Sequence, residues 1–368
     1  MDQKLALVTG ACGFIGSHMV DYLISQGYKV RATDLYFAPK TYLNEKAEFV
    51  PADIVEKEEI YPLLEDVDVV FHPAAVFDFS ASRELTYLVN VVGTQNLLEA
   101  SKDFPKIKGI VVWSTGAFYD AYNWPGIIFS EESPVEPKNF YELSKLEQER
   151  MALKYAQKYN LPITVIRPSA VYGTKSQYGA ALIILYMLKG QISFVFGKGD
   201  KAAAMVHVLD VVRAAEFLSK IPEAVGEVYN LADDSRDSVE ALLYFLSSQI
   251  PDAKIYFHLP GFLIRLFAKY SKLISKIFNR PQKIEEGAID YILNPFLMDN
   301  RKIKALGFEF NYPDVKLGMK DVIDWYLKFL GPSQNETKKL LELTKLVKKS
   351  QYCYQEELYR LRELLKKN

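Results

Sequence analysis

Several things are scarce in this chain. Only two of its 368 residues are cysteine, Cys12 and Cys353, one near each end. That excludes a disulfide framework and suits a reducing compartment, so the expected location is the cytoplasm. The four histidines, at 18, 72, 207 and 258, are scattered singly, and no metal site is expected. No apolar run approaches the ~18 residues that span a bilayer. The longest is "GAALIILYML" at 179–188, which reads as a buried helix. "LALV" near the start is too short for the apolar region of a signal peptide. The net charge of −1 gives no global attraction to nucleic acid. What remains is ordinary for a folded globular chain, with 49% hydrophobic and 25% charged residues.

The first 175 residues alternate regularly. The strand-like runs are "LALVTG", "YKVRATD", "AEFVPAD", "VDVVFHPAA", "IKGIVVWST" and "LPITVIRPS". Helical stretches near 14–26, 56–64, 83–102 and 141–159 separate them. Apolar, β-branched strands between helices predict a parallel sheet covered on both faces, a doubly wound α/β fold. After Pro168 the alternation loosens. Residues 176–330 are expected to form a smaller, mostly helical substrate lobe, with 207–232 returning to the first domain (1–175). Residues 331–368 read as a terminal amphipathic helix with nine Lys/Arg against four Glu from 338 onward, expected to pack on its own lobe or a neighbouring subunit.

"TGACGFIG" (9–16) follows the first strand and opens a helix. Gly10, Gly13 and Gly16 let the backbone turn tightly and approach a pyrophosphate seated on the helix N-terminus. Asp34 closes the second strand. A carboxylate there accepts both ribose hydroxyls of NAD and repels the 2′-phosphate of NADP, so NAD is the expected cofactor rather than NADP. Asp53 closes the next strand, within reach of an adenine edge, or serves as a helix N-cap.

"YELSK" sets Tyr141 and Lys145 at i and i+4, on one helix face. A tyrosine ionises near pH ~10 and must drop by about three units, roughly 4 kcal/mol, to act as a base near neutrality. One ammonium at ~4 Å supplies about that much at an effective dielectric of ~20. Ser114 and Thr115 end the fifth strand at the carboxyl edge of the sheet, where open α/β folds bind ligands. A hydroxyl there can donate to the substrate oxygen while Tyr141 exchanges the proton.

With "HPAA" (72–75), "NVVGT" (90–94) and "RPSAVYG" (167–173) added in order, residues 1–330 resemble the extended short-chain dehydrogenases/reductases, the NAD-dependent epimerase/dehydratase superfamily. The resemblance implies a Rossmann domain with a carboxyl-terminal substrate lobe. By position it implies that Gly10, Gly13, Phe14, Ile15 and Gly16 line the pyrophosphate. Asp34 would hold the ribose, Asp53 and Ile54 the adenine. Ala74 would line the cleft, Asn90 support the sheet edge and Pro168 border the nicotinamide. Thr115, Tyr141 and Lys145 would be the catalytic triad, with Tyr141 and Lys145 also touching the cofactor. It also implies a homodimer through helices 83–102 and 141–159.

Two departures narrow the branch. Thr115 is followed by Gly116 and Ala117, not by the Asp-Glu of sugar dehydratases. In "AAMVHVLD" (203–210) Ala203 stands where nucleotide-sugar enzymes carry a diphosphate-gripping arginine, which Arg213 or Arg236 would have to replace. The stretch resembles instead the 3β-hydroxysteroid dehydrogenase/dihydroflavonol reductase-like branch, in which His207 either is core or touches substrate. The expectation is an NAD-dependent oxidoreductase for a hydrophobic, sterol-like or otherwise lipophilic substrate. The alternative is a nucleotide-sugar 4-epimerase.

Residues 261–280, "GFLIRLFAKYSKLISKIFNR", hold five basic residues and no acidic one. The basic residues recur at helical spacing. Two expectations stand: packing on the substrate lobe with a solvated lysine face, or peripheral contact with an anionic membrane.

Overall fold

The computed structural model describes residues 3–77, 81–176, 183–184, 187, 194–250, 253–266, 269–270 and 293–330. The expected terminal helix 331–368, residues 271–280, and most of the helix read at 179–188 lie outside them.

Seven strands form one parallel sheet: β1 (Leu5–Thr9), β2 (Lys29–Thr33), β3 (Glu48–Phe49), β4 (Val69–His72), β5 (Gly109–Trp113), β7 (Ile163–Pro168) and β11 (Val228–Leu231), in the order β11-β7-β5-β4-β1-β2-β3. The chain leaves β1 toward one edge through β2 and β3, then crosses back to β4 on the other side. That reversal creates a crevice at the carboxyl ends of β1 and β4.

Period-2 alternation decides which helix each strand residue meets. Ala6, Val8, Val111 and Trp113 face one core with Met19, Val20 and Leu23 of α1 (Phe14–Ser25) and with Val211, Ala215 and Leu218 of α6 (Val208–Leu218). Leu7, Val70, Ile110 and Val112 face the opposite core. There they meet α2 (Lys57–Leu64), α4 (Thr94–Ser101) and α5 (Phe140–Tyr159) through Ile60, Leu97, Leu98, Ala152 and Ala156. Each fully buried Leu or Val contributes about 1.5–3 kcal/mol of transfer free energy. The doubly wound sheet is therefore the expected one. The 207–232 stretch supplies α6 to one face and β11 to the sheet edge, paired with β7 from Val228↔Val165 to Leu231↔Pro168.

The helix read at 83–102 differs in one respect. It begins as α3 (Arg83–Tyr87), passes through a π turn at Leu88–Gly93, and continues as α4. Gly93 sits against Ile54: a Cβ there would lie 2.8 Å from Ile54 Cδ1. The wide turn carries Asn90, whose Oδ1 accepts from the Val76 amide at 2.7 Å and whose Nδ2 donates to Ser144 Oγ of α5 at 2.9 Å.

The rest of the chain uses short strand pairs: β8 (Ala170–Tyr172) with β10 (Met205–His207), β9 (Phe194–Phe196) with β12 (Phe257–Leu259), and β6 (Ile128–Phe129) with β13 (Leu297–Met298). A third core joins Tyr172, Val195 and Met205 to Leu243 and Leu246 of α7 (Val239–Gln249) and to Met319, Val322 and Ile323 of α9 (Val315–Leu330); α8 (Arg301–Ala305) lies between β13 and α9 in the chain.

Candidate active site

The glycine loop fits a dinucleotide. Gly10 has φ +58°, and a Cβ on it would stand 2.8 Å from the Ala74 Cα. A Cβ on Gly16 would stand 2.0 Å from the Gly10 carbonyl oxygen. Neither position can carry a side chain. The first turn of α1 has no side-chain cap and no acidic residue, which leaves its amides to an anion. Phe14 and Ile15 are partly or fully buried beneath this loop.

Asp34 follows β2. Its Oδ2 accepts from the Cys12 amide at 2.9 Å and its Oδ1 from the Leu35 amide at 2.8 Å. Burial raises its pKa while these two bonds oppose the rise. Each oxygen keeps a second lone pair, enough for a ribose diol. Asp53 Oδ1 accepts from the Val55 amide at 3.0 Å, an Asx turn ahead of α2. The Ile54 side chain is packed among Val76, Leu85 and Val89, so only its backbone is left for an adenine.

The triad residues come together. α5 starts with a side-chain cap at Asn139 and a carboxylate that reaches back past it. Asn139 Oδ1 accepts from the Glu142 amide at 2.9 Å, and Glu142 Oε2 accepts from the Lys138 amide at 2.7 Å. This fixes Tyr141 in the first turn. The Tyr141 hydroxyl is hydrogen-bonded to Thr115, and Phe77 stands edge-on to its ring at 5.0 Å. The Gly116 amide donates to the Pro168 carbonyl at 2.9 Å, which holds the Thr115 turn to the end of β7. Lys145, on the same face of α5 one turn after Tyr141, is buried to 2% exposure.

The electrostatics differ from the simple expectation. The phenol of Tyr141 is pushed well above its ordinary value by burial, and its bond to Thr115 only partly offsets this. Lys145 is pushed down to about 7 by the same burial, opposed by the Glu149 carboxylate one turn further along α5. Desolvation sets the direction of both shifts, and neither residue of the pair figures among the causes of the other's.

Other residues of the site lay beyond sequence reasoning. His72, fully buried, bonds Thr9 Oγ1 at 2.7 Å and Thr94 Oγ1 at 2.8 Å, tying β1 to α4. Its pKa falls to about 3 through burial and the Lys145 charge. Arg167 donates to Glu149 at 2.9 and 2.5 Å and to the Tyr119 hydroxyl at 2.8 Å; Tyr119 donates in turn to Asn230 Oδ1 at 2.7 Å. This chain locks α5 to β7 and β11. Only the presence of Arg167 within "RPSAVYG" signalled it. His207 serves the fold: its Nδ1 accepts from the Leu209 amide at 3.3 Å, and its ring lies 3.8 Å from that of Tyr312.

Beside Thr115 the packing is apolar. A Cβ on Gly116 would stand 2.4 Å from Met298 Sδ. Met298 belongs to a cluster with Tyr119, Phe129, Ala204 and Phe296, and the Ala204 amide donates to the Phe296 carbonyl at 2.7 Å. Ala203 is half-buried at this border. Arg213 is held by Asp210 at 2.7 Å and by the Glu309 carbonyl at 3.1 Å. Among the described residues no His, Cys, Asp or Glu side chains gather to hold a metal ion.

Residues 6–232 match the model of the NAD dependent epimerase/dehydratase family. The chain belongs to this family. It is an extended short-chain dehydrogenase/reductase and an enzyme of the NAD-dependent oxidoreductase and epimerase group. Its relatives include proteins named for sterols and proteins named for nucleotide sugars. The bovine (Bos taurus) sterol-4-alpha-carboxylate 3-dehydrogenase, decarboxylating, is 29% identical over 236 residues, 63% of this chain and 65% of that protein. A Methanocaldococcus jannaschii protein with the provisional name UDP-glucose 4-epimerase is 31% identical over 331 residues, 87% of this chain and 98% of that protein. Among solved structures, UDP-glucose 4-epimerase from Thermotoga maritima with UDP-glucose superposes with a TM-score of 0.73 at 27% identity, covering 89% of this chain and 100% of that one.

Proposed function

We propose that this family member interconverts a hydroxyl and a carbonyl on a hydrophobic, sterol-like or otherwise lipophilic substrate, using NAD and the Thr115–Tyr141–Lys145 triad. One observation carries the substrate class: half-buried Ala203 offers no charge to a diphosphate, and the packing next to it and next to Thr115, with Met298 against Gly116, is apolar. Of the two arginines considered for that charge, Arg213 is engaged by Asp210, and Arg236 donates to the Ser235 carbonyl at 2.9 Å.

When bound, NAD supplies or accepts a hydride at its nicotinamide ring. The chain does the rest. Gly10, Gly13 and Gly16 admit the pyrophosphate, Asp34 holds the adenosine ribose and excludes a 2′-phosphate, and Lys145 donates to the nicotinamide ribose. Thr115 holds the substrate oxygen. Tyr141 gives that oxygen a proton on reduction and takes it back on oxidation. A neutral, buried phenol is ready to donate. Taking a proton needs the positive charge of the oxidised cofactor nearby, so the oxidation rate should rise with pH.

Residues 1–175 and 207–232 form the cofactor domain in this reading, and 176–330 select the substrate. The enzyme works in the cytoplasm as a homodimer through the α3–α4 and α5 faces, which expose Tyr87, Phe140 and Leu143. Incubation with NAD(H) and a panel of sterol-like and long-chain alcohols and ketones tests the reading. Turnover of these by wild type, with none of UDP- or GDP-sugars, supports it; the reverse pattern ends it.

The second reading, a nucleotide-sugar 4-epimerase, draws on the relative matched over 98% of its length. Strong thermal stabilisation by a UDP-sugar would favour it.

A further inference from the structure

The carboxyl-terminal lobe carries an exposed face that the reaction does not use. The backbone is helical over 261–266 and 269–270. Ile264, 5% exposed, anchors this segment on Phe196, Leu259 and Leu293. The opposite side is apolar and open to solvent: Phe262 is 68% exposed, Leu266 47% and Tyr270 56%. These three recur every four residues, one above the other on a helix surface, with Leu263 beside them. Lys269 and Arg265 flank the stripe and are exposed. The adjoining β12 adds Phe257 and the preceding Tyr256, 51% and 70% exposed, and the Phe257 ring stacks on Phe194 at 5.7 Å. Had the segment only packed on its lobe, the large apolar residues would face inward and the lysines outward. Here both face outward.

An apolar stripe edged by basic residues has few matching partners. Residues 254–283 contain seven Lys/Arg and no Asp or Glu. Glu240, which borders the patch, is held by His258 at 3.1 Å. A second copy docked face to face would set this basic edge against itself, because a two-fold contact pairs a patch with the same patch. The basic 338–368 tail would meet the same repulsion. A bilayer with anionic headgroups matches both parts: the stripe enters the headgroup boundary, aromatic rings sit at the interface, and the lysines meet lipid phosphates.

We propose that the face made by Tyr256, Phe257, Phe262, Leu263, Leu266 and Tyr270, with Lys254 and Lys269 at its edge, docks the enzyme onto an anionic lipid bilayer. Flotation of the full chain with vesicles of phosphatidylcholine, alone or mixed with phosphatidylglycerol, tests this without any substrate, so it succeeds or fails independently of the reaction assigned above. The expected result is binding to the mixed vesicles, weakened by salt. Lys254→Gln and Lys269→Gln should each weaken it by about fivefold. Phe262→Ser with Leu266→Ser should weaken it by tenfold or more. NADH binding, followed by fluorescence, should be unchanged in all variants and reports that they fold. The proposal is overturned if wild type ignores mixed vesicles, if the folded variants float as well as wild type, or if their only effect is to dissociate a dimer in sedimentation.

Discussion

In the seven-stranded sheet, five of the strands are paired on both sides and mostly buried, and the glycine loop, Thr115, Tyr141 and Lys145 all issue from its carboxyl edge or from α5 behind it. Outside that sheet the strands come two by two, with two or three residues each, and β8, β9 and β10 lean on α7 and α9. The first region fixes positions through redundant pairing, whereas isolated strand pairs are marginal by themselves. Under the proposed reaction a division of labour follows: the sheet holds the proposed proton-transfer groups to a narrow geometry, and the segments around Ala203 and Met298 shape what lies beside them. Changes on the sheet side should alter rate and stability; changes on the lobe side should alter what is bound.

The strongest break of that division is Tyr141→Phe, which should lower kcat by about 10²–10⁴-fold while NADH titration finds cofactor affinity intact. Next comes Glu149→Leu. It leaves the Arg167 guanidinium buried without its carboxylate and should cost about 3–5 kcal/mol in a denaturant titration; adding Arg167→Met should recover much of the loss. On the lobe side, Ala203→Arg should improve UDP binding by about 1.5–3 kcal/mol in calorimetry with little change in melting temperature. A loss of fold in that variant would show that the lobe is as constrained as the sheet.

A smaller effect concerns pH. Lys145 titrates near 7 in the fold against 10.5 when unfolded. Between those values the unfolded chain binds the extra proton, so stability rises with pH there, by at most about 1.4 kcal/mol per pH unit for one group. Lys145→Met should therefore exceed wild type in stability at pH 7, and the gap should close toward pH 10. Smallest of all, Ser238→Ala removes the cap that accepts from the Ala241 amide at 3.1 Å at the start of α7. It should cost about 1 kcal/mol and leave turnover alone.

How much of this was legible in the sequence follows the same division. The glycine loop, Asp34, Thr115 and the Tyr141–Lys145 pair could be read because each lies within a few residues of a strand end or on one helix turn. The Arg167–Glu149 lock could not, since α5 and β7 must first pack before residues 18 apart meet. The sign of the Tyr141 shift was also hidden. Spacing gives the distance to Lys145, but burial, which decides the outcome, belongs to the folded core. In the lobe, periodicity at 261–280 marked an amphipathic helix without saying which face turns inward; Ile264 answers that for the described part. The π turn left no trace because the apolar pattern of 83–102 suits an ordinary helix equally well.

That π turn limits how the chain can change length. Removing one residue between Leu88 and Gly93 would restore ordinary helical bonding and would look harmless in an alignment. It would also rotate one end of the helix by about 100° relative to the other. Asn90 would swing away from Val76 and Ser144, or Thr94 away from His72 and from Gln148, whose Nε2 donates to its hydroxyl at 2.6 Å. The segment can exchange side chains, but its residue count is fixed by two sets of hydrogen bonds that demand opposite ends of the same helix to stay in phase.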